Sequence, residues 1–410
     1  MGVGRVIGIA AGTVVILAVG AYGPATLLGP LPPSAVTVLD TPRPATAPVP
    51  PTMPTHGASA VTETADAAPF AVAGDTAPLP LAGIAKTITA LVVLDEHPLA
   101  PEADGVTVPI TSDDYLSYLD YQKAGARTVT VYTEDAWSLR GMLQALLLGS
   151  SNNHADTLAR WSFGSVDGYV AAANAWLRQN GMTQTTVVDA TGLGDGNVGT
   201  ASDLSRLAAI ALSNETIASL LSEPVTGLAS RRGIENTTSY LPDQGVTGIS
   251  LSYTDAAGLC LLFGGTVEVE GEPYRFFGAI LREPDWDALD TDVTALMASA
   301  RAGVTMSPVI AEGTPLVTIR TAWGDTAQGV AGPSSVRPRW VRAPLTLTPS
   351  IAPFSETTAG GTIGTVTADD GSEQTPVSIR ADKRVADPGP LWRLANPVPV
   401  IGALIDSVSR

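Results

Sequence analysis

The run Leu81-Ala82-Gly83-Ile84-Ala85-Lys86-Thr87-Ile88-Thr89-Ala90-Leu91-Val92-Val93-Leu94 constrains this chain more than any other stretch. No proline interrupts it, and Pro80 and Pro98 close its two ends, so it predicts a single helix. A helix apolar on every side belongs in the interior, and it carries Lys86 inside near its first turn. A buried ammonium is costly unless it is paired. Lys86 is therefore the first candidate for a functional group.

At 410 residues the chain has room for two or three domains. Arg5 precedes an uncharged run that extends to Leu31. Most of residues 1–30 is apolar over the roughly 20 positions a bilayer helix needs. The segment is either an uncleaved transmembrane anchor or a signal peptide cut near Ala18-Val19-Gly20-Ala21, and its length and glycines favour the anchor. The positive charge lies before the run, so both readings place the rest of the chain outside the cytoplasm: single-pass and extracytoplasmic, or secreted after cleavage. Residues 31–68, rich in Pro, Thr and Ala, predict a disordered linker.

Residues 69–305 mix strands and helices without regular β-α-β spacing. Strands are predicted at 70–74, 106–110, 129–132, 248–252, 259–263 and 275–281. Helices are predicted at 138–148, 153–163, 166–179, 204–212 and 286–302, with Thr111 capping another. The pattern is α+β, an antiparallel sheet flanked by helices. Residues 306–395 turn to short strands separated by Gly and Pro, at 316–319, 345–347, 364–367 and 377–379, as a small C-terminal β-sandwich would. The tail, 396–410, is too short to span a bilayer.

A formal charge of −17 and a pI near 4.5 argue against nucleic acid as a partner. The only cysteine, Cys260, sits in an apolar run and reads as a buried small hydrophobe. His56, His97 and His154 lack ligand spacing, so neither a metal site nor a cofactor is expected.

Four segments together resemble the serine-type D-alanyl-D-alanine carboxypeptidases of the penicillin-binding protein and β-lactamase-like fold. The 81–94 run is similar to that family's opening Ser-x-x-Lys helix. Ser150-Ser151-Asn152 is similar to its Ser-x-Asn element. Asn180-Gly181-Met182 with Asp189-Ala190-Thr191-Gly192-Leu193 resembles a further family segment, and Gly248-Ile249-Ser250-Leu251-Ser252 stands where the family has Gly-Ile-Lys-Thr-Gly. The resemblance spans about 70–281 and implies the transpeptidase-like fold with a helical subdomain, and a peptidoglycan stem peptide as substrate class.

It also exposes two losses. Gly83 stands where the nucleophilic serine belongs, and Ser250, Leu251 and Ser252 replace the Lys-Thr-Gly that would hold a substrate carboxylate. The chain's lysines are Lys86, Lys123 and Lys383, and none follows a Ser or Thr by three positions. Lys86, Ser150 and Asn152 then read as vestiges of the catalytic set. The resemblance implies a proton relay at Ser150 and a bond to the substrate amide at Asn152; a cluster that merely satisfies Lys86 and the backbone is the weightier reading. The function expected is a catalytically inactive, membrane-tethered homologue that binds stem peptide or wall-synthesis proteins. Two alternatives stay open: an active carboxypeptidase using Ser150 with Lys86, and a body that serves as a spacer for the C-terminal β domain.

Overall fold

The computed structural model describes residues 3–39, 48–222, 234, 236–341, 345–371 and 373–409. The chain divides into two compact units, one of residues 48–306 with 338–341, the other of residues 1–47, 307–337 and 342–410.

The first unit is built on a five-stranded sheet, antiparallel throughout. Its strands are β1 (Ala58–Thr62), β2 (Ala71–Gly74), β3 (Val246–Thr254), β4 (Gly258–Val269) and β5 (Glu272–Glu283), in the order β2-β1-β5-β4-β3. Its main helices are α1 (Ala85–Glu96), α2 (Ser112–Lys123), α3 (Leu139–Leu147), α4 (Asn152–Phe163), α5 (Val166–Gln179), α6 (Ala201–Ser213), α7 (Glu215–Ser222) and α8 (Trp286–Gly303). Side chains alternate across the sheet, as the two-residue period of a strand requires. Leu262, Ala279 and Leu281 join the core that contains α1, α3 and α6. Their neighbours Leu261, Phe263 and Ile280 join a second core with Leu289, Val293 and Leu296 of α8. Each such large side chain contributes roughly 1.5–3 kcal/mol on burial. The sheet is thus covered by helices on both faces, the α+β arrangement expected.

The 81–94 run is the interior element the sequence predicts. A 3₁₀ turn, Ala82–Ile84, leads into α1, and every residue of the run is buried. Thr111 caps α2 through a reciprocal pair with Asp114, which also accepts from Arg160 at 2.7 Å.

The second unit carries a six-stranded antiparallel sheet in the order Ala35–Val38, Pro315–Arg320, Thr326–Ala331, Gln374–Ala381, Thr362–Asp369 and Thr346–Ile351, with its own apolar core. Residues Val6–Leu27 form a helical stretch long and apolar enough to cross a membrane. The tail forms a helix, Pro397–Val408.

Two expectations need correction. The stretch 31–68 is not a plain linker: Ala35–Val38 pairs with Pro315–Arg320, and β1 lies inside the five-stranded sheet, pairing with β5 from Ala58↔Leu281 to Thr62↔Phe277. Residues 40–47 of that stretch lie outside the described residues. Small residues mislead here, because Ala58 and Ala60 are fully buried without looking like core. Residues 129–132 form no strand. Both backbone groups of Val129 are bonded to Asn153, its N–H at 3.2 Å and its carbonyl at 3.0 Å, so side chains take the place of a ladder.

Candidate active site

Three pieces of chain converge at the edge of the sheet: the 3₁₀ turn with the start of α1, the connection from α3 to α4, and the edge strand β3. Gly83, Lys86, Leu146, Ser150, Ser250 and Leu251 line the cavity between them. Most of the sequence-derived candidates therefore line one cavity, and Ser252 lies against Gly83 just outside it. Asn152 is not part of its lining either.

Lys86 is buried, and its Nζ donates to the Thr191 carbonyl at 2.8 Å. The expected partners, Ser150 and Asn152, are not the ones it uses. Burial brings the ammonium down to about 7, with Asp189 and Asp156 pulling it up and Arg127 pushing it further down. An amine so tuned can accept a proton near neutral pH.

The segment 189–194 explains the Thr191 carbonyl. Asp189 Oδ1 accepts from Thr191 N, Thr191 Oγ1 and Gly192 N, and Oδ2 from Gly194 N and Asn197 Nδ2, all at 2.7–2.9 Å. Burial alone would raise this carboxyl, yet the hydrogen bonds from Gly192, Asn197, Thr191 and Gly194 hold it below the usual range. Gly192 has φ +82°, and a Cβ there would lie 1.8 Å from the Ala82 carbonyl oxygen. The turn thus clasps the start of the lysine helix. The sequence supplied the signal, Asp189-Ala190-Thr191-Gly192-Leu193, but not the role.

Ser150 lies in the left-handed region at φ +48°, as does Ala82 at +46°, each at a cost of roughly 1–2 kcal/mol for a residue with a Cβ. Such strain gathers where surrounding structure fixes a site. The side chain of Asn152 donates to the Arg127 carbonyl at 3.0 Å, and its Oδ1 is buried without a hydrogen bond. The adjacent Ser151 and Asn153 are structural: Ser151 Oγ bonds Asn153 and the buried, neutral His154, each at 2.8 Å.

On β3 an irregularity between Gly248 and Ser250 sets the facing of Ser250, Leu251 and Ser252. Ser250 and Ser252 are registered with Leu262 and Cys260, both on the α1 side of the sheet. Leu251 instead packs in the opposite core, with Leu261 and Phe263. Leu251 is therefore not what crowds position 83. Ser252 is. A Cβ added at Gly83 would lie 2.9 Å from Ser252 Cβ, 3.2 Å from its Oγ and 3.5 Å from Ser150 Oγ. Ser252 Oγ is itself buried with no hydrogen bond. The cavity beside these groups measures about 10 Å³, space for about one water at most.

The profile of the D-alanyl-D-alanine carboxypeptidases matches residues 64–270, half of the chain. The chain belongs to this family. A D-alanyl-D-alanine endopeptidase from Pseudomonas aeruginosa is 30% identical over 243 residues, covering 55% of this chain and 74% of that protein. Among solved structures, a D-alanyl-D-alanine carboxypeptidase from Mycobacterium tuberculosis H37Rv is 25% identical with a TM-score of 0.51, over 64% of this chain and 96% of that one. The carboxypeptidase DacD from Francisella tularensis, 16% identical, shares the fold with a TM-score of 0.56 over 86% of this chain and 97% of its own. These likenesses agree with the transpeptidase-like fold and its C-terminal sheet-rich region.

Proposed function

We propose that this family member has lost peptide hydrolysis and acts in peptidoglycan metabolism by binding a wall component, a stem peptide or a wall-synthesis protein, while tethered outside the cytoplasm by residues 6–27. The observation that carries this reading is the exchange at Gly83 and Ser252. The nucleophile position holds no side chain, and the space such a side chain needs is taken by Ser252. Removing only the nucleophile of a serine hydrolase costs ~10⁶ in turnover. Here Ser250, Leu251 and Ser252 also leave a substrate carboxylate without the cation of the family's Lys-Thr-Gly. On this reading Lys86, Ser150 and Asn152 are vestigial.

One observation favours the opposite reading, an active enzyme using Ser150 with Lys86: the amine is poised near neutrality, and Ser150 lines the same cavity in a strained conformation. Incubation with a fluorescent penicillin, alongside an assay for D-alanine release from a stem pentapeptide, separates the two. No covalent adduct and no D-alanine is the expected result. An adduct that maps to Ser150 would establish the active reading instead.

A further inference from the structure

Away from this cleft, the fold assembles a cluster that no local spacing predicts. His56 lies in the approach to β1, Glu283 is the last residue of β5, and Asp292 is on α8. The register of β5 breaks between Ile280 and Glu283, and Arg282 takes φ +62°, a conformation rare for a residue with a Cβ. Gly57 at φ +54° makes the matching close approach, since a Cβ there would meet the Leu281 carbonyl at 2.1 Å. This double irregularity delivers the Glu283 carboxylate to the same place as the other two side chains.

The Glu283 side chain is completely buried, yet neither of its oxygens takes a hydrogen bond. Asp292 Oδ2 is buried and without one too. Among the described residues, His56 Nδ1 forms the ion pairs to them, at 3.5 Å from Glu283 Oε2 and 3.6 Å from Asp292 Oδ2. An imidazolium salt bridge would direct its Nδ1–H to one carboxylate at hydrogen-bonding distance, leaving the other carboxylate with no donor. A cation at the centre satisfies all three at once. Ligands about 2.0–2.1 Å from a tetrahedral ion are separated by roughly 3.3–3.4 Å. The histidine-to-carboxylate distances are close to that edge, and the candidate ligand atoms all lie within 4.8 Å of one another.

We propose that His56, Glu283 and Asp292 bind a divalent metal ion of the zinc class, tying the segment before β1 to β5 and α8. The imidazole nitrogen disfavours calcium and magnesium, which take oxygen ligands. His56 is more than half exposed, which leaves an open path and a fourth position for water. The histidines at 56, 97 and 154 show no ligand spacing in the sequence; the spacing is made by the fold.

The test uses the full chain in detergent, stripped with a chelator. Zinc titrated by calorimetry should bind with one equivalent and raise the melting temperature, and cobalt should give the visible absorption of a tetrahedral ion. Glu283→Gln and His56→Ala should each weaken zinc binding by at least an order of magnitude. His97→Ala, a histidine outside the cluster, should leave it unchanged. His56 is exposed, so His56→Ala decides the matter even if Glu283→Gln fails to fold. No zinc binding, or binding that survives His56→Ala, overturns the proposal.

Discussion

At Gly83 and Ser252 two positions on different elements compete for a volume that fits one side chain. Gly83→Ser should therefore lower stability by about 1–3 kcal/mol through overpacking, because the new Cβ would lie 2.9 Å from Ser252 Cβ. Ser252→Gly in the same molecule should recover most of that loss, and a double-mutant cycle in denaturant measures the coupling. The single Gly83→Ser protein should not be acylated by penicillin; acylation, if restorable, needs Ser250→Lys, Leu251→Thr and Ser252→Gly as well. Near-normal acylation of the single variant would refute this account of the site. Lys86 makes a second residue-scale prediction. Its folded-state value of about 7 lies below the ordinary 10.5, so between these values the unfolded chain holds a proton that the folded chain does not. Stability should then rise with pH across that window, with the full cost of the buried charge present below it. Lys86→Met should be more stable than wild type at pH 6, on the order of 1–3 kcal/mol, and the difference should shrink toward pH 10. Equal stabilities at pH 6 would mean that the Thr191 bond offsets the burial.

At the scale of elements, the turn around Asp189 holds the start of α1 in place. Gly192→Ala should cost at least about 2 kcal/mol, because it adds both left-handed strain and a collision with the Ala82 carbonyl. Melting curves with Gly125→Ala as a comparison would check it, since that position shares the positive φ, at +71°, but leaves open space for a Cβ. Asp189 is held below the ordinary carboxylate value, so its contribution is present at neutral pH and is lost as acid protonates it. Asp189→Asn should accordingly flatten the acid side of the stability profile. The elements themselves were largely legible. Thr111 caps its helix as expected, and the helices expected from 138, 166 and 286 begin within a residue of those positions, capped by Ser138, Ser165 and Asp285. The strands built from small residues were not, since Ala58 and Ala60 carry no strand signature and owe their burial to β5. Residues 129–132 alternate like a strand, but the backbone of Val129 is bonded by Asn153 instead. At the site, residue types singled out positions 83 and 250–252. What could not be read was where Leu251 points, because that depends on an irregularity in β3, and what Lys86 touches, because that depends on a turn about a hundred residues away.

At the scale of the whole molecule, the apolar stretch Val6–Leu27 bears on where both compact units reside. If it anchors the chain, protein recovered from membranes should retain its N-terminus on sequencing, and removal of residues 2–28 should move the protein to the soluble fraction. A mature terminus near Ala21 would instead identify a cleaved signal. Deleting the stretch should leave penicillin reactivity as it was, because the lining of the Gly83 cleft comes entirely from residues after 80.

On the proposed reading, in which position 83 once held a nucleophile, the volume shared by 83 and 252 gives that loss a direction in time. A serine returning at 83 meets an occupied space and weakens the protein before it can confer any activity. A glycine at 252 only opens a small gap, which the chain can tolerate and which makes the second step possible. A lineage carrying this chain thus has a less costly order in which to retrace that history, with the strand opening before the helix position is filled. Descendants that have not passed through a glycine at 252 are held behind a ratchet made of one hydroxymethyl group.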